Sequence, residues 1–162
     1  MAILRPATIY GRGSWVWSTW WGPLLAAAQS GSGDAIQIPV DKGTRTGVVH
    51  IDDVAAAYLG TLDRIHGQLG SWPVFDIGAE NLSIVDMLEA AKQALGVKAE
   101  LEYGGTHGNA FLEALALVAN TDFSRAKVVL AWVPNKVDFV PNMAVYVDAW
   151  RATEEMKPKT SA

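Results

Sequence analysis

The stretch MAILRPATIYGRGS, residues 1–14, decides how the rest of the chain is read. Ala2-Ile3-Leu4 is a short apolar run of the kind that forms a buried strand. Arg5-Pro6 breaks it, and Gly11 and Gly13 keep the following segment open. A strand this near the first residue either pairs with a later one or is an interior strand of a larger sheet whose first half is absent.

Working outward, residues 15–29 carry enough apolar side chains for a helix, expected to break near Gly22-Pro23 and to end in the loop SGSGD. Ile36 to Val40 alternates as a short strand, and Val48-Val49-His50 is again extended. Asp52 is placed to cap a helix that shows Val54, Tyr58, Leu62 and Ile65 along one face and stops at Gly67. Trp72 to Gly78 reads as a strand. Ser83 with Asp86 then opens, in a capping-box pattern, a helix closed by Gly96. Leu101-Glu102-Tyr103 is strand-like and precedes the turn GGTHG and an apolar helix from Phe111 to Val118. Two helices complete the chain, from Asp122 to Leu130 and from Asp138 to Glu155, separated by Pro134. Strands alternating with helices make the class α/β. The expectation is one domain over residues 1–155 with a disordered tail over 156–162.

Half of the 162 residues are hydrophobic, sufficient for one real core. The formal charge is −4, with 13 basic residues scattered among 17 acidic ones, so no patch points to nucleic acid or to an anionic membrane. The absence of cysteine removes thiolate nucleophiles, disulfides and cysteine zinc sites. The most apolar run, SWVWSTWWGPLLAAA, is interrupted by polar residues, Gly22 and Pro23 and falls short of the roughly 20 residues of a membrane span. Arg5 and Pro6 stand where a signal peptide has its apolar centre, and a cytoplasmic protein is the simplest expectation.

Few constellations suggest chemistry. Gly11-Arg12-Gly13 begins like a dinucleotide-binding glycine turn, but Val16 stands where the third glycine belongs, which favours a plain loop. In His50-Ile51-Asp52-Asp53 the favoured reading is a helix cap beside a strand-end histidine, because His66 and His107 show no spacing that converges on a metal; no metal is expected. No G-x-S-x-G elbow is present. Tyr10, Tyr58, Tyr103 and Tyr146 are followed four positions on by Ser14, Leu62, His107 and Trp150, so no tyrosine has the lysine that would lower its pKa for proton transfer. The seven tryptophans read first as core, with some of those near Trp15 able to cover a ligand mouth.

Four segments taken in order, LRPATIYGRG, TRTGVVHIDDVAAAYLGTLD, VFDIGAENLSIVDMLEAAKQALG and TDFSRAKVVLAWVP, resemble the C-terminal half of the NAD-dependent epimerase/dehydratase family, the extended short-chain dehydrogenase/reductases. The resemblance implies a partial Rossmann-like α/β fold: late strands plus the substrate-binding part. It implies that Pro6 and Ala7 line the nicotinamide side of a cofactor site and that Ile9 and Tyr10 lead into the substrate cleft. Arg45 would meet an anionic group of the substrate, and Phe75 to Gly78 would pack beside Ile3-Leu4. The cofactor of the full-length family is NAD or NADP, and the partner is a small molecule such as a nucleotide sugar or a ketone. The family's glycine fingerprint and Tyr/Lys pair have no counterpart in this sequence, so no catalytic residue is assigned and the chain alone is expected neither to hold the cofactor nor to turn over. The other reading is a non-catalytic binding or interaction module that keeps the family fold. No oligomeric state follows from the sequence.

Overall fold

The computed structural model describes residues 1–116 and 120–156. Seven strands and six α-helices alternate along these residues: β1 (Ile3–Pro6), β2 (Thr8–Tyr10), α1 (Ser18–Ser30), β3 (Ile36–Ile38), β4 (Arg45–His50), α2 (Ile51–Arg64), β5 (Val74–Ile77), β6 (Glu80–Ser83), α3 (Ile84–Ala94), β7 (Leu101–Tyr103), α4 (Ala110–Leu115), α5 (Ser124–Val129) and α6 (Met143–Met156). A single 3-10 turn, Trp15–Trp17, leads into α1. The expected helix from Phe111 to Val118 begins as α4, and its last residues lie outside the described ones, as does the expected tail from residue 157; Met156 itself is helical.

The opening strand takes a later partner. β1 pairs in parallel with β5, Ile3 opposite Val74 and Pro6 opposite Ile77. β2 pairs in parallel with β4, which pairs on its other side with antiparallel β6, and β3 pairs in parallel with β7. Ile3 N–H and Ala7 N–H donate to Pro73 and Ile77 carbonyls at 2.8 Å, so the groups of Leu4 and Pro6 face the opposite edge of β1, where no strand lies among the described residues. That edge lacks one donor, because Pro6 has no N–H.

Two clusters form the core. One joins Trp17, Trp20, Trp21 and Leu24 from the 3-10 turn and α1 to Tyr10, Ile38, Met87, Leu88, Phe139 and Trp150. The other sets Val54 and Ala57 of α2 against Phe75 and Ile77 of β5 and Ala126, Leu130 and Trp132 from the α5 region. The first cluster explains why α1 runs through Pro23 without the expected break. A proline at an interior position costs about 3 kcal/mol locally. Complete burial of Trp20, Trp21 and Leu24 on the two sides of it contributes more.

Three further expectations are corrected. On α2 the buried positions are Asp53, Val54, Ala57 and Thr61, whereas Tyr58, Leu62 and Ile65 face outward. The large apolar side chains had set the helix phase wrongly, because the face that packs is made of small ones. Ser83 occupies the cap position of α3, but its hydroxyl makes no capping bond; Ile84 N–H instead donates to Thr44 carbonyl at 3.0 Å. The last helix starts at Met143 rather than Asp138, whose positive φ of 61° and following Pro141 keep the intervening segment in turns.

Candidate functional site

The chain changes strand partner at Ala7. Up to Pro6 it lies beside β5; from Thr8 it lies beside β4; and Ala7 N–H still reaches back to Ile77 carbonyl. In parallel α/β sheets such a divergence leaves a crevice beyond the carboxyl ends of the strands, which is where ligands bind. Two open cavities of about 300 and 360 Å³ share Pro6, Ala7 and Thr8 as a common wall. The first is completed by Arg5, Asp76, Thr46 and Phe123, the second by Ile9 and Trp15.

Phe123 forms the inner side of the first cavity, and two glycines make room for it. A Cβ on Gly47 would stand 2.9 Å from its Cζ, and one on Gly78 would overlap the ring outright. The segment carrying Phe123 is clamped from below. Asn81 donates from its side-chain amide to Thr121 carbonyl at 2.9 Å and accepts from Thr121 N–H at 3.3 Å, imitating one rung of a β-ladder. Asp122 then turns the chain into α5 by accepting from Ser124 N–H and hydroxyl at 2.8 and 2.9 Å, bonds that hold its carboxyl below the usual carboxylate range. The polar residues of the cavity are the Arg5–Asp76 pair, 2.8 Å apart across β1 and β5, Thr8 and Thr46, whose hydroxyls lie 3.2 Å apart, and Thr121.

The residues expected at the site divide into two groups. Pro6, Ala7 and Ile9 line the cavities. Ile9 also accepts the indole N–H of Trp17 on its carbonyl at 2.9 Å, which ties the wall to the aromatic core. Tyr10 and Arg45 line neither cavity. Tyr10 is fully buried, donates its hydroxyl to Lys136 carbonyl at 2.8 Å, and has its pKa pushed up chiefly by burial, so it holds the wall rather than meeting solvent. Arg45 is exposed and donates to Asn81 carbonyl at 2.9 Å, so it supports the residue that clamps Thr121. Sequence reasoning missed Phe123, Gly47, Gly78 and Asn81. The segments that contain them belong to the resemblance, but nothing local shows that a ring from residue 123 lies on two glycines more than forty positions away.

A dinucleotide would also need a cradle for its pyrophosphate, and the Gly11-Arg12-Gly13 turn does not fit one. All three residues have positive φ, but the space above both glycines is already occupied: a Cβ on Gly11 would overlap the His50 ring, and one on Gly13 would stand 2.5 Å from Thr153 Cγ2. These glycines permit close packing within the chain, not close approach of a phosphate.

Scans of the sequence against protein-family models and curated proteins find no match. Solved structures do match. UDP-glucose 4-epimerase from Thermotoga maritima, determined with UDP-glucose, superimposes with a TM-score of 0.69 at 23% identity, over 94% of this chain and 46% of its own. dTDP-glucose 4,6-dehydratase from Bacillus anthracis, in complex with NAD, gives 0.67 at 18% identity, over 95% and 45%. UDP-glucuronic acid 4-epimerase from Bacillus cereus, with UDP-glucuronic acid and NAD, gives 0.64 at 18% identity, over 94% and 45%. The likeness is one of fold: the α/β arrangement of this chain matches part of each of these epimerase and dehydratase structures. The chain spans just under half the length of each of these three structures.

The end of β4 and the start of α2 form a second polar cluster. His50, not Asp52, is the cap of α2: its Nδ1 accepts Asp52 N–H at 3.1 Å. Asp52 turns outward to Arg12, whose Nε donates to it at 2.8 Å and holds its carboxyl below the usual range. Asp53 is the buried acid. Its two oxygens accept Asn135 and Lys136 N–H, each at 2.9 Å, while its carbonyl accepts the indole N–H of Trp132 at 2.9 Å. Among the described residues no three His, Cys, Asp or Glu side chains are grouped so as to hold a metal ion, and no helix is long and apolar enough to cross a membrane.

His50 makes stability depend on pH in a definite direction. Burial lowers its pKa from the ordinary 6.5, more than Asp52 and Asp53 raise it, and Lys136 and Arg12 lower it further. The unfolded chain therefore binds the proton first. The contribution of the neutral ring is complete above the ordinary value and is lost as pH falls below it toward the folded pKa. Protonation at Nδ1 also removes the acceptor that caps α2. Urea unfolding at pH 7.5 and pH 5 should show a loss that His50→Asn, a capping residue without a titration in this range, does not share. Identical pH profiles for the two proteins would refute the assignment.

Proposed function

We propose that this chain forms the substrate-facing part of an NAD(P)-dependent epimerase, dehydratase or reductase acting on a nucleotide sugar, with the proton- and hydride-transfer groups supplied by residues that its sequence does not contain. The observation that carries this reading is the crevice at Ala7, where the chain leaves β5 for β4 and two cavities share the Pro6–Thr8 wall. The nucleotide sugars and NAD named for the structurally similar enzymes support the ligand class. In this reading Pro6 and Ala7 face a nicotinamide ring, which supplies the hydride acceptor when bound, and Ile9 borders the sugar. Arg45 donates through one guanidinium nitrogen to Asn81, and its other nitrogens are without partners among the described residues, so a phosphate can pair with them. Tyr10 acts on the site through the wall it braces.

The test is a titration of the purified chain with UDP-glucose followed by NMR. Saturable shifts centred on Ala7 and Thr8 are expected, together with roughly tenfold weaker affinity for Arg45→Gln, the value of one charge-assisted hydrogen bond. A folded chain that shows no saturable response would refute the reading. A second reading, a non-catalytic interaction module, is favoured by one feature: Tyr58, Leu59, Leu62 and Ile65 are 51, 64, 59 and 42% exposed along α2. That reading requires concentration-dependent association by size-exclusion chromatography, abolished by Leu59→Lys with Leu62→Lys.

A further inference from the structure

Apart from the crevice at Ala7, a cavity of about 310 Å³ opens between the residue 11–13 turn, the His50 end of β4, Lys136 and α6. Val145, Tyr146 and Ala149 of α6 form its apolar side. The hydrogen-bonding capacity left over at this cavity is of one kind. The acidic groups around it are engaged: Asp52 accepts from Arg12 Nε, and both oxygens of Asp53 accept backbone N–H groups. Glu80, whose charge reaches Tyr146, accepts Phe139 N–H at 3.0 Å.

The donors keep unused capacity. His50 uses Nδ1 as the acceptor for Asp52 N–H, so in the neutral ring the proton sits on Nε2. Nε2 has no partner among the described residues, although the side chain is only 9% exposed. Gly11 packs directly against the ring, where a Cβ would overlap Nε2, and His50 borders the cavity beside it. Lys136 lines the same cavity and has no ion-pair partner among the described residues, and its backbone is held by the bonds from its N–H to Asp53 and from Tyr10 to its carbonyl. Arg12 contributes the terminal nitrogens that Asp52 leaves free. The cavity thus joins a buried neutral donor to two cations, against a single exposed and already paired carboxylate.

We propose that this cavity binds a small tetrahedral oxyanion of the phosphate type, held by Nε2–H of His50, the ammonium group of Lys136 and the guanidinium group of Arg12. Such a ligand presents only acceptors, matching what the cavity has to offer. The site is separate from the Pro6–Thr8 wall, and its occupancy does not depend on nucleotide-sugar binding.

Inorganic phosphate, titrated at constant ionic strength against sodium chloride, is the probe, and the ring protons of His50 are the readout. The chain has three histidines, so a background carrying His66→Gln and His107→Gln leaves His50 as the sole imidazole signal without touching the cavity. The expected result is a saturable shift of that signal, with affinity about tenfold weaker in Lys136→Gln. Circular dichroism confirms that the variant is folded. A linear response, the same response to chloride or acetate, or unchanged affinity in folded Lys136→Gln would overturn the proposal.

Discussion

Asp53→Ala lowers the stability of the chain by about 3 kcal/mol, read as a fall of roughly 6–12 °C in Tm. The carboxylate is 2% exposed and accepts two backbone N–H groups from residues 135 and 136, at the point where the chain crosses from α5 toward α6. Truncation strands both donors and removes two hydrogen bonds to a charged group, each worth about 1.5–3 kcal/mol. The lower end of their sum applies because Asn135 and Lys136 are themselves exposed, so water can replace part of what is lost. Asp53→Asn is the informative control: one amide oxygen remains to accept while its NH₂ group opposes the second donor, and about half of the loss is expected. Asp52→Ala, which removes only an exposed pair with Arg12, should cost far less. Equal effects at positions 52 and 53 would contradict this division of roles.

Gly78→Ala is the second large effect, and its cause lies in a different part of the chain. No positive φ is required at this glycine, so alanine meets no backbone penalty; the obstacle is the Phe123 ring, which a Cβ would overlap. Overpacking against a fixed neighbour costs about 1–3 kcal/mol, and about 2 is expected here. Phe123→Ala alone costs about 3 kcal/mol, since the side chain is 7% exposed and leaves a void beside the first cavity. In the Phe123→Ala background the new methyl enters that void, and Gly78→Ala becomes nearly neutral. Denaturant unfolding of the four proteins gives the coupling directly. Additive losses would mean that the ring does not rest on Gly78. The same series bears on the crevice at Ala7, because Phe123 is part of its lining; ligand affinity should fall with Phe123→Ala even at temperatures where the variant is fully folded.

These two residues show where sequence reading ends. His50-Ile51-Asp52-Asp53 is visible as a polar cluster, yet which acid is buried depends on where β4 stops and α2 begins. Adjacent helical positions differ by about 100° around the axis, so moving the cap from Asp52 to His50 exchanges the roles of the two acids. The outward-facing Tyr58, Leu59 and Leu62 obscure the phase further, because they are larger than Val54 and Ala57, which pack inward. The expected pairing of Phe75 to Gly78 beside Ile3-Leu4 is seen in β1 and β5, but it came from the resemblance. Composition and periodicity alone do not choose partners across seventy residues.

What this sequence determines by itself is local: strands where β-branched and apolar residues run together, helix ends where Gly31 and Gly96 take positive φ, and the lack of a lysine four positions after any tyrosine. Each of these depends on a neighbourhood of a few residues, within which backbone sterics and side-chain chemistry act. The divergence at Ala7, the clamp from Asn81 to Thr121 and the ring of Phe123 over Gly47 and Gly78 were decided only when distant segments met. Contacts between residues 53 and 136 or 78 and 123 are selected by the shape and polarity left over after each segment has folded, and that remainder is a property of the assembled tertiary structure.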